Sequence, residues 1–231
     1  PVVADEVQSG MGRTGTFVHC EQLGIRPDYV LLGKSLGGGI SKVSAVCIDQ
    51  GSFVPEFSLQ YASTFAEDGY SAHVACRALD LLDESGAMKE AHRKGEALLA
   101  RLRELASRFP GVVREVRGAG LMIGIELEAM PFERSNALSF LGEYGWLGYA
   151  VSGYLLRRHG IRVAPTLSVR GTIRVEPSAG IPQQAIDQLL AALHDLFEVL
   201  DREDAAALIG GCMDLPVNGS GSGSKPRVVR A

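Results

Sequence analysis

The sequence predicts an α/β fold in two parts: a piece of a large domain built on a mostly parallel sheet, then a smaller α+β domain. Three observations predict it. Short apolar runs bounded by Gly, Pro or Asp alternate with longer stretches of helical periodicity. The early runs end in polar or glycine-rich turns, where open α/β sheets place their ligands. The composition, 46 % hydrophobic and 22 % charged over 231 residues with a net charge of −4, is that of a globular chain and excludes a disordered one.

The elements follow in order. Residues 2–4 form a short apolar strand closing on Asp5. Tyr29–Leu32 form a second, closing on Gly33-Lys34, and residues 43–48 a third. From about residue 73 to 83 the pattern becomes helical, with Val74, Ala78, Leu81 and Leu82 on one face. A second amphipathic helix covers 88–109 on Leu98, Leu102 and Leu105, and Pro110-Gly111 stops it. Residues 112–116 and 121–127 are strands, 144–158 a helix, and 161–164 and Thr172–Val175 short strands. The last helix spans 182–202, where Ile186, Leu189, Leu190, Leu193, Phe197 and Leu200 make a core-packing stripe. The expected division lies within the helical stretch at 84–88, giving a first domain over 1–86, a second over 87–204 and a tail or linker over 205–231.

The mildly acidic charge gives no global attraction to nucleic acid or to an anionic membrane. No apolar run approaches the ~20 residues that span a bilayer. Cys20, Cys47, Cys76 and Cys212 form no C-x-x-C pair, so no metal site is expected. Widely scattered cysteines are expected to be buried thiols in a reducing, cytoplasmic setting. A strand already under way at Pro1 makes the chain read as a fragment. The Gly/Ser run from Asn218, followed by Lys225, Arg227 and Arg230, reads as a disordered tail or a tether to a further domain.

Several groups can carry chemistry. Asp5 closes a strand with Gln8 just beyond, and Gly10, Gly12 and Gly15 follow in S-G-M-G-R-T-G. That segment suits either a ligand-binding strand end or a turn whose Asp caps a local N–H. Lys34 stands at the next strand end before three glycines, where a partly desolvated lysine can act as a nucleophile. Gly33-Lys34-Ser35 is no phosphate loop, because Asp28 occupies the position that motif needs as glycine. Ser63-Thr64 precede a helix and suit either a phosphate or a cap. Arg174 lies within an apolar strand and needs an anion: Glu176, Asp187 or a substrate carboxylate.

The ordered blocks A-D-E-V-Q-S-G-M-G-R-T-G (4–15), R-P-D-Y-V-L-L-G-K-S-L-G-G-G (26–39), S-T-F (63–65) and T-I-R-V-E-P (172–177) resemble the class III pyridoxal-phosphate aminotransferases, of fold type I. The ornithine and 4-aminobutyrate aminotransferases belong to this group. The likeness covers roughly residues 1–200, the C-terminal portion of such an enzyme. It implies amino-group transfer between an amine or amino acid and a carbonyl acceptor, with pyridoxal 5′-phosphate as cofactor.

By this resemblance Lys34 is the Schiff-base lysine, and Asp5 pairs with the pyridine nitrogen, keeping the ring an electron sink. Gln8 lies near the phenolic oxygen and Val7 packs on a ring face. Thr64 contacts phosphate across a homodimer, and Arg174 holds the substrate carboxylate. After Thr64 the run F-A-E-D-G-Y-S-A departs from the family's usual glycine pair and Asn-Pro. The same cofactor also serves aminomutases, decarboxylases and phospho-lyases, and a truncated domain of this fold need not be catalytic.

Overall fold

The structure is a computed structural model, described here over residues 1–60, 68–128 and 132–210. The Ser63-Thr64 pair, Cys212 and the Gly/Ser run with its basic residues lie outside the described residues. Two sheets organise the chain. In the first, β1 (Val3–Asp5) runs parallel to β2 (Tyr29–Leu32), and β2 pairs antiparallel with β3 (Ala45–Ile48). Asp5 lies opposite Leu31, so the ends of β1 and β2 open on the same edge, with Lys34 just beyond. The second sheet has the order β4-β5-β7-β6, built from β4 (Val113–Ala119), β5 (Met122–Leu127), β6 (Ala164–Pro165) and β7 (Thr172–Val175), all antiparallel. Pro165 has no N–H to donate, which suits β6 to the edge it occupies.

Seven α-helices lie among the described residues. They are α1 (Pro55–Gln60), α2 (Gly69–Glu84), α3 (Ala87–Ala106), α4 (Asn136–Glu143), α5 (Leu147–His159) and α6 (Gln183–Asp201), followed by α7 (Ala205–Ile209). Gly86, at φ +67, turns the chain from α2 into α3. Two apolar cores lie on either side of that turn. The smaller gathers Met11, Val18, Cys20, Leu32, Leu36 and Ala75 from the first sheet, its loops and α2. The larger packs α3, α5 and α6 on one face of the second sheet, with Leu98, Leu102, Ile125, Leu155, Ile173, Leu193 and Phe197 almost wholly buried.

Several expectations need correction. The single helix expected over 144–158 is two, because Gly145 at φ +74 ends α4 and Tyr144 is its C-cap, not a helix start. Ser135 caps α4 by accepting from the Leu138 N–H. Exposed Phe140, Tyr144 and Trp146, stacked on one another outside the core, blur the apolar stripe there. The tail expected from 205 begins with α7, which Asp204 caps and whose Leu208 is fully buried. Helix α1 was not expected. Of the described cysteines only Cys20 is buried; Cys47 and Cys76 are exposed.

The glycine-rich segment after β1 holds the two parts together. Its backbone runs against the β4–β5 turn, where the Leu121 N–H donates to the Arg13 carbonyl at 3.0 Å. Arg13 also donates through its guanidinium to the carbonyls of Leu121 and Pro177. Backbones meet so closely here that only glycine fits. A Cβ on Gly95 of α3 would come within 2.1 Å of the Gly120 carbonyl oxygen, and one on Gly120 within 2.5 Å of Thr14. Within S-G-M-G-R-T-G itself, a Cβ on Gly10, Gly12 or Gly15 would come within 2.7–2.8 Å of Glu6, Met88 or His92, so these glycines also serve close packing.

Gly95→Ala therefore tests the packing. In an open helix that change stabilises by about 1 kcal/mol. Here it is expected to destabilise by about 1–3 kcal/mol, the usual cost of overpacking. Gly111→Ala, where a Cβ meets nothing, stays within about 0.5 kcal/mol. Denaturant midpoints of both variants check this.

Candidate active site

The edge where β1 and β2 end carries the candidate groups. Lys34 opens a 3-10 turn (Lys34–Gly37) in the left-handed region, at φ +47, after the extended Gly33. A residue with a β-carbon is strained there, which marks a position held by its surroundings. The Lys34 ammonium donates to Gln8 Oε1 at 2.7 Å. The other end of the same amide, Gln8 Nε2, donates to Glu176 Oε1 at 2.6 Å. The second Glu176 oxygen stands 3.8 Å from the Arg174 guanidinium. A chain of contacts thus runs from Lys34 through Gln8 and Glu176 to Arg174, joining both sheets.

Asp5 accepts the Val7 N–H on Oδ1 at 3.2 Å, the local cap that the sequence allows. Its Oδ2 has no hydrogen bond among the described residues, and the side chain is exposed. Val7 packs at the lysine turn: a Cβ on Gly33 would lie 3.4 Å from Val7 Cγ1. Lys34 is also exposed, so the partly desolvated setting expected for it is not what the described residues provide. Thr64 lies outside the described residues. The helix start beyond it is capped by Asp68, which accepts from the Ser71 N–H at 2.9 Å and is held below its ordinary pKa first by the Ser71 hydroxyl.

Arg174 has Glu176 as its counter-ion; Asp187 instead pairs with Arg101 at 2.7 Å. The Arg174 Nε is buried with no partner among the described residues. It borders a cavity of about 550 Å³ between the second sheet and the loop that follows β1, lined also by Ser9, Thr14, His19, Arg117 and Thr172. His19 Nδ1 and Thr172 Oγ1 are likewise buried and unpartnered. Such atoms are uncommon in folded proteins, and each has capacity for a further hydrogen-bond partner. Arg117 is already engaged by Glu126 and Glu115.

Beside the site lies a carboxylate that sequence reasoning passed over. Glu6, between Asp5 and Val7, points inward and is 3 % exposed. It accepts the Cys20 N–H at 2.8 Å and the Ser9 hydroxyl. Burial works against its charge, but the hydrogen bonds from Ser9 and from the His19 and Cys20 backbone outweigh it and hold the carboxyl below its ordinary value. Burial first, and then Glu6, push the Cys20 thiol up, which disfavours the thiolate form. The signal for Glu6 was strand alternation, which turns neighbours Asp5 and Glu6 to opposite sides. No group of three or more His, Cys, Asp or Glu among the described residues is placed to hold a metal.

A family model described as Aminotransferase class-III matches residues 2–197. The mitochondrial ornithine aminotransferase of Arabidopsis thaliana is 34 % identical over 198 residues, 86 % of this chain and 39 % of that protein. The putrescine aminotransferase of Pectobacterium atrosepticum is 31 % identical over 202 residues, 87 % of this chain and 40 % of that protein. Among solved structures, the Plasmodium falciparum ornithine δ-aminotransferase aligns with a TM-score of 0.71 at 27 % identity, over 87 % of this chain and 46 % of that one. A transaminase solved with L-Ala aligns with a TM-score of 0.73 at 26 % identity, over 87 % and 47 %. The chain spans about two fifths of the length of the curated relatives it matches.

Glu6 gives the site a testable acid limit. Its folded pKa lies below the reference value of 4.5, so its contribution to stability is complete above that pH and is lost as pH falls through the folded value. Glu6→Gln is expected to remove this part of the acid limb. Unfolding midpoints at pH 7 and in steps below 4.5 check it; parallel curves for the two proteins would contradict it.

Proposed function

The chain belongs to the class III aminotransferases, of fold type I, and from that membership we propose that it carries the lysine half of a pyridoxal-phosphate site for amino-group transfer between an amine or amino acid and a carbonyl acceptor. The observation that carries this reading is the placement of Lys34: strained, at the end of β2, with Nζ on Gln8 and Asp5 at the neighbouring strand end. The donor set suits the cofactor, with a primary amine, a carboxylate oxygen without a hydrogen bond among the described residues, an amide beside the lysine and the apolar Val7 against the lysine turn. When bound, pyridoxal phosphate supplies an aldehyde that captures amines and a ring that draws electron density from the substrate carbon.

In this reading each residue has one task. Lys34 holds the cofactor between turnovers, and its freed Nζ carries a proton to and from the substrate Cα. Asp5 Oδ2, without a hydrogen bond among the described residues, would take the pyridine N–H, which would keep the ring electron-poor. Gln8 stands by the phenolic oxygen, and Val7 covers a ring face. Thr64 would add a phosphate contact from the neighbouring subunit. Arg174, whose Nε is buried without a partner, takes the substrate carboxylate in its fork. The named donors of the relatives, ornithine and putrescine, are amines of the kind this site would accept.

The proposed division falls at Gly86, between the two cores, with the second unit running through α7. A homodimer is proposed as well. Its support is a groove of about 540 Å³ lined by Met11, Ile40, Val74, Ala78, Leu81 and Leu82, with Ile40 79 % exposed. Among the described residues no helix is long and apolar enough to cross a membrane. The exposed, unpaired Cys47 and Cys76 suit a reducing, cytoplasmic setting.

Cofactor trapping tests the reading. Pyridoxal phosphate is added to the protein, the product is reduced with borohydride, and the modified lysine is mapped by peptide mass spectrometry. One label on Lys34, absent from Lys34→Ala, is expected. Labels scattered over surface lysines, or unchanged in the variant, would contradict the site. Sedimentation equilibrium is expected to give twice the chain mass; a monomer at tens of micromolar would contradict the dimer.

A further inference from the structure

Glu176 is the member of the contact chain to which the functional reading gives no task. It lies just past β7, in the second part of the chain, yet its shortest contact is with Gln8 in the first, 168 residues away. That contact holds the Gln8 amide at the end opposite Lys34. A side-chain amide has an acceptor at one end and a donor at the other, and the two are nearly isosteric. A carboxylate accepts only, so Glu176 compels Gln8 to turn its NH2 toward it. The Gln8 carbonyl then has to face the opposite way, and there it meets Lys34 Nζ. Lys34, which can only donate, favours the same orientation from the other end, so the amide is held between two one-sided partners, and loss of Glu176 would leave its NH2 end without an acceptor among the described residues. The other oxygen of Glu176 stands at Arg174, whose guanidinium has no hydrogen bond among the described residues.

We propose that Glu176 is a positioning residue: by accepting from Gln8 it fixes the amide so that the carbonyl receives Lys34, and by standing at Arg174 it ties the arginine end of the site to the lysine end. The catalytic consequence rests on the functional reading above; the orientation of Gln8 does not. Glu176 touches neither substrate nor cofactor in this role. It acts through Gln8 on the direction of the Lys34 amine, and through charge on Arg174.

The test uses the full-length protein and two variants. Glu176→Gln keeps the shape and removes the obligate acceptor, and Glu176→Asp keeps the acceptor on a shorter stem. In the cofactor-free protein, the Gln8 side-chain NH2 resonances, assigned by their loss in Gln8→Asn, report the orientation directly. They are expected to be shifted and slow to exchange in the wild type and in Glu176→Asp, and to move toward free-amide values in Glu176→Gln. With cofactor, Glu176→Gln is expected to keep the borohydride-trapped label on Lys34. Its kcat should fall about tenfold to a hundredfold, the scale of a slightly misdirected reacting group, with partial recovery in Glu176→Asp. Unchanged Gln8 resonances in Glu176→Gln would overturn the proposal, even where thermal stability drops. Unchanged kcat beside altered resonances would overturn the catalytic part. Absence of a Lys34 label in the wild type would instead strike the functional reading, while the resonance test of Glu176 and Gln8 stood on its own.

Discussion

The Gln8 side chain sets the constraint on which the site depends. Its planar amide needs a donor at one edge and an acceptor at the other, and the chain supplies Lys34 from the first sheet and Glu176 from the second. Both contacts are short, at 2.6 and 2.7 Å, so the ends of both sheets must be held close together. The local geometry on one side is set by two parallel strands in register, with Asp5 opposite Leu31 and Lys34 three residues on. On the other side it is set by β7, which is bonded on both edges and whose Ile173 and Val175 are locked into the larger core.

What holds the two sheets in place is mostly backbone. The segment from Gly10 to Gly15 lies against the β4–β5 turn and α3 at distances that exclude any side chain at Gly95 and Gly120. Arg13 caps that junction on two carbonyls, one of them Pro177, the residue next to Glu176. Beneath the same segment, Glu6 fastens Ser9 and the Cys20 backbone into the small core. A charged carboxylate can afford burial there because its lone pairs are met by donors. The strained Lys34 backbone is thus surrounded by fixed neighbours: Val7 at Gly33, and Leu36 buried behind it. Strain of this kind persists only where packing over-determines it.

Much of this was legible in the sequence, for reasons that differ by element. Tyr29–Leu32 and Thr172–Val175 are recovered to the residue, because each is a compact apolar run between clear turn formers. Helices α3 and α6 carry stripes long enough to declare their period. The break between α4 and α5 was lost because exposed aromatics mimic a buried face, and α7 because five residues cannot display a period. At the candidate site, Asp5, Gln8 and Lys34 were legible as candidates because each sits at a strand end or just past one. The Glu176–Gln8 bond was not, since no local pattern connects residues 168 apart. For Arg174 the sequence left three anions open; packing removes Asp187, which Arg101 of α3 takes, and stands Glu176 at 3.8 Å, while the substrate carboxylate remains a proposal.

The most direct measurement of the central constraint is a double-mutant cycle between Gln8 and Glu176 on unfolding free energy. Gln8→Ala, Glu176→Ala and the double variant are compared with the parent protein. A hydrogen bond to a charged acceptor is worth about 1.5–3 kcal/mol, so coupling of about that size is predicted, well above the additivity error of about 0.3–0.5 kcal/mol. Additive effects, with no coupling beyond that error, would mean that the two sheets do not meet through Gln8, and the link between Lys34 and the arginine end of the site would fall with it.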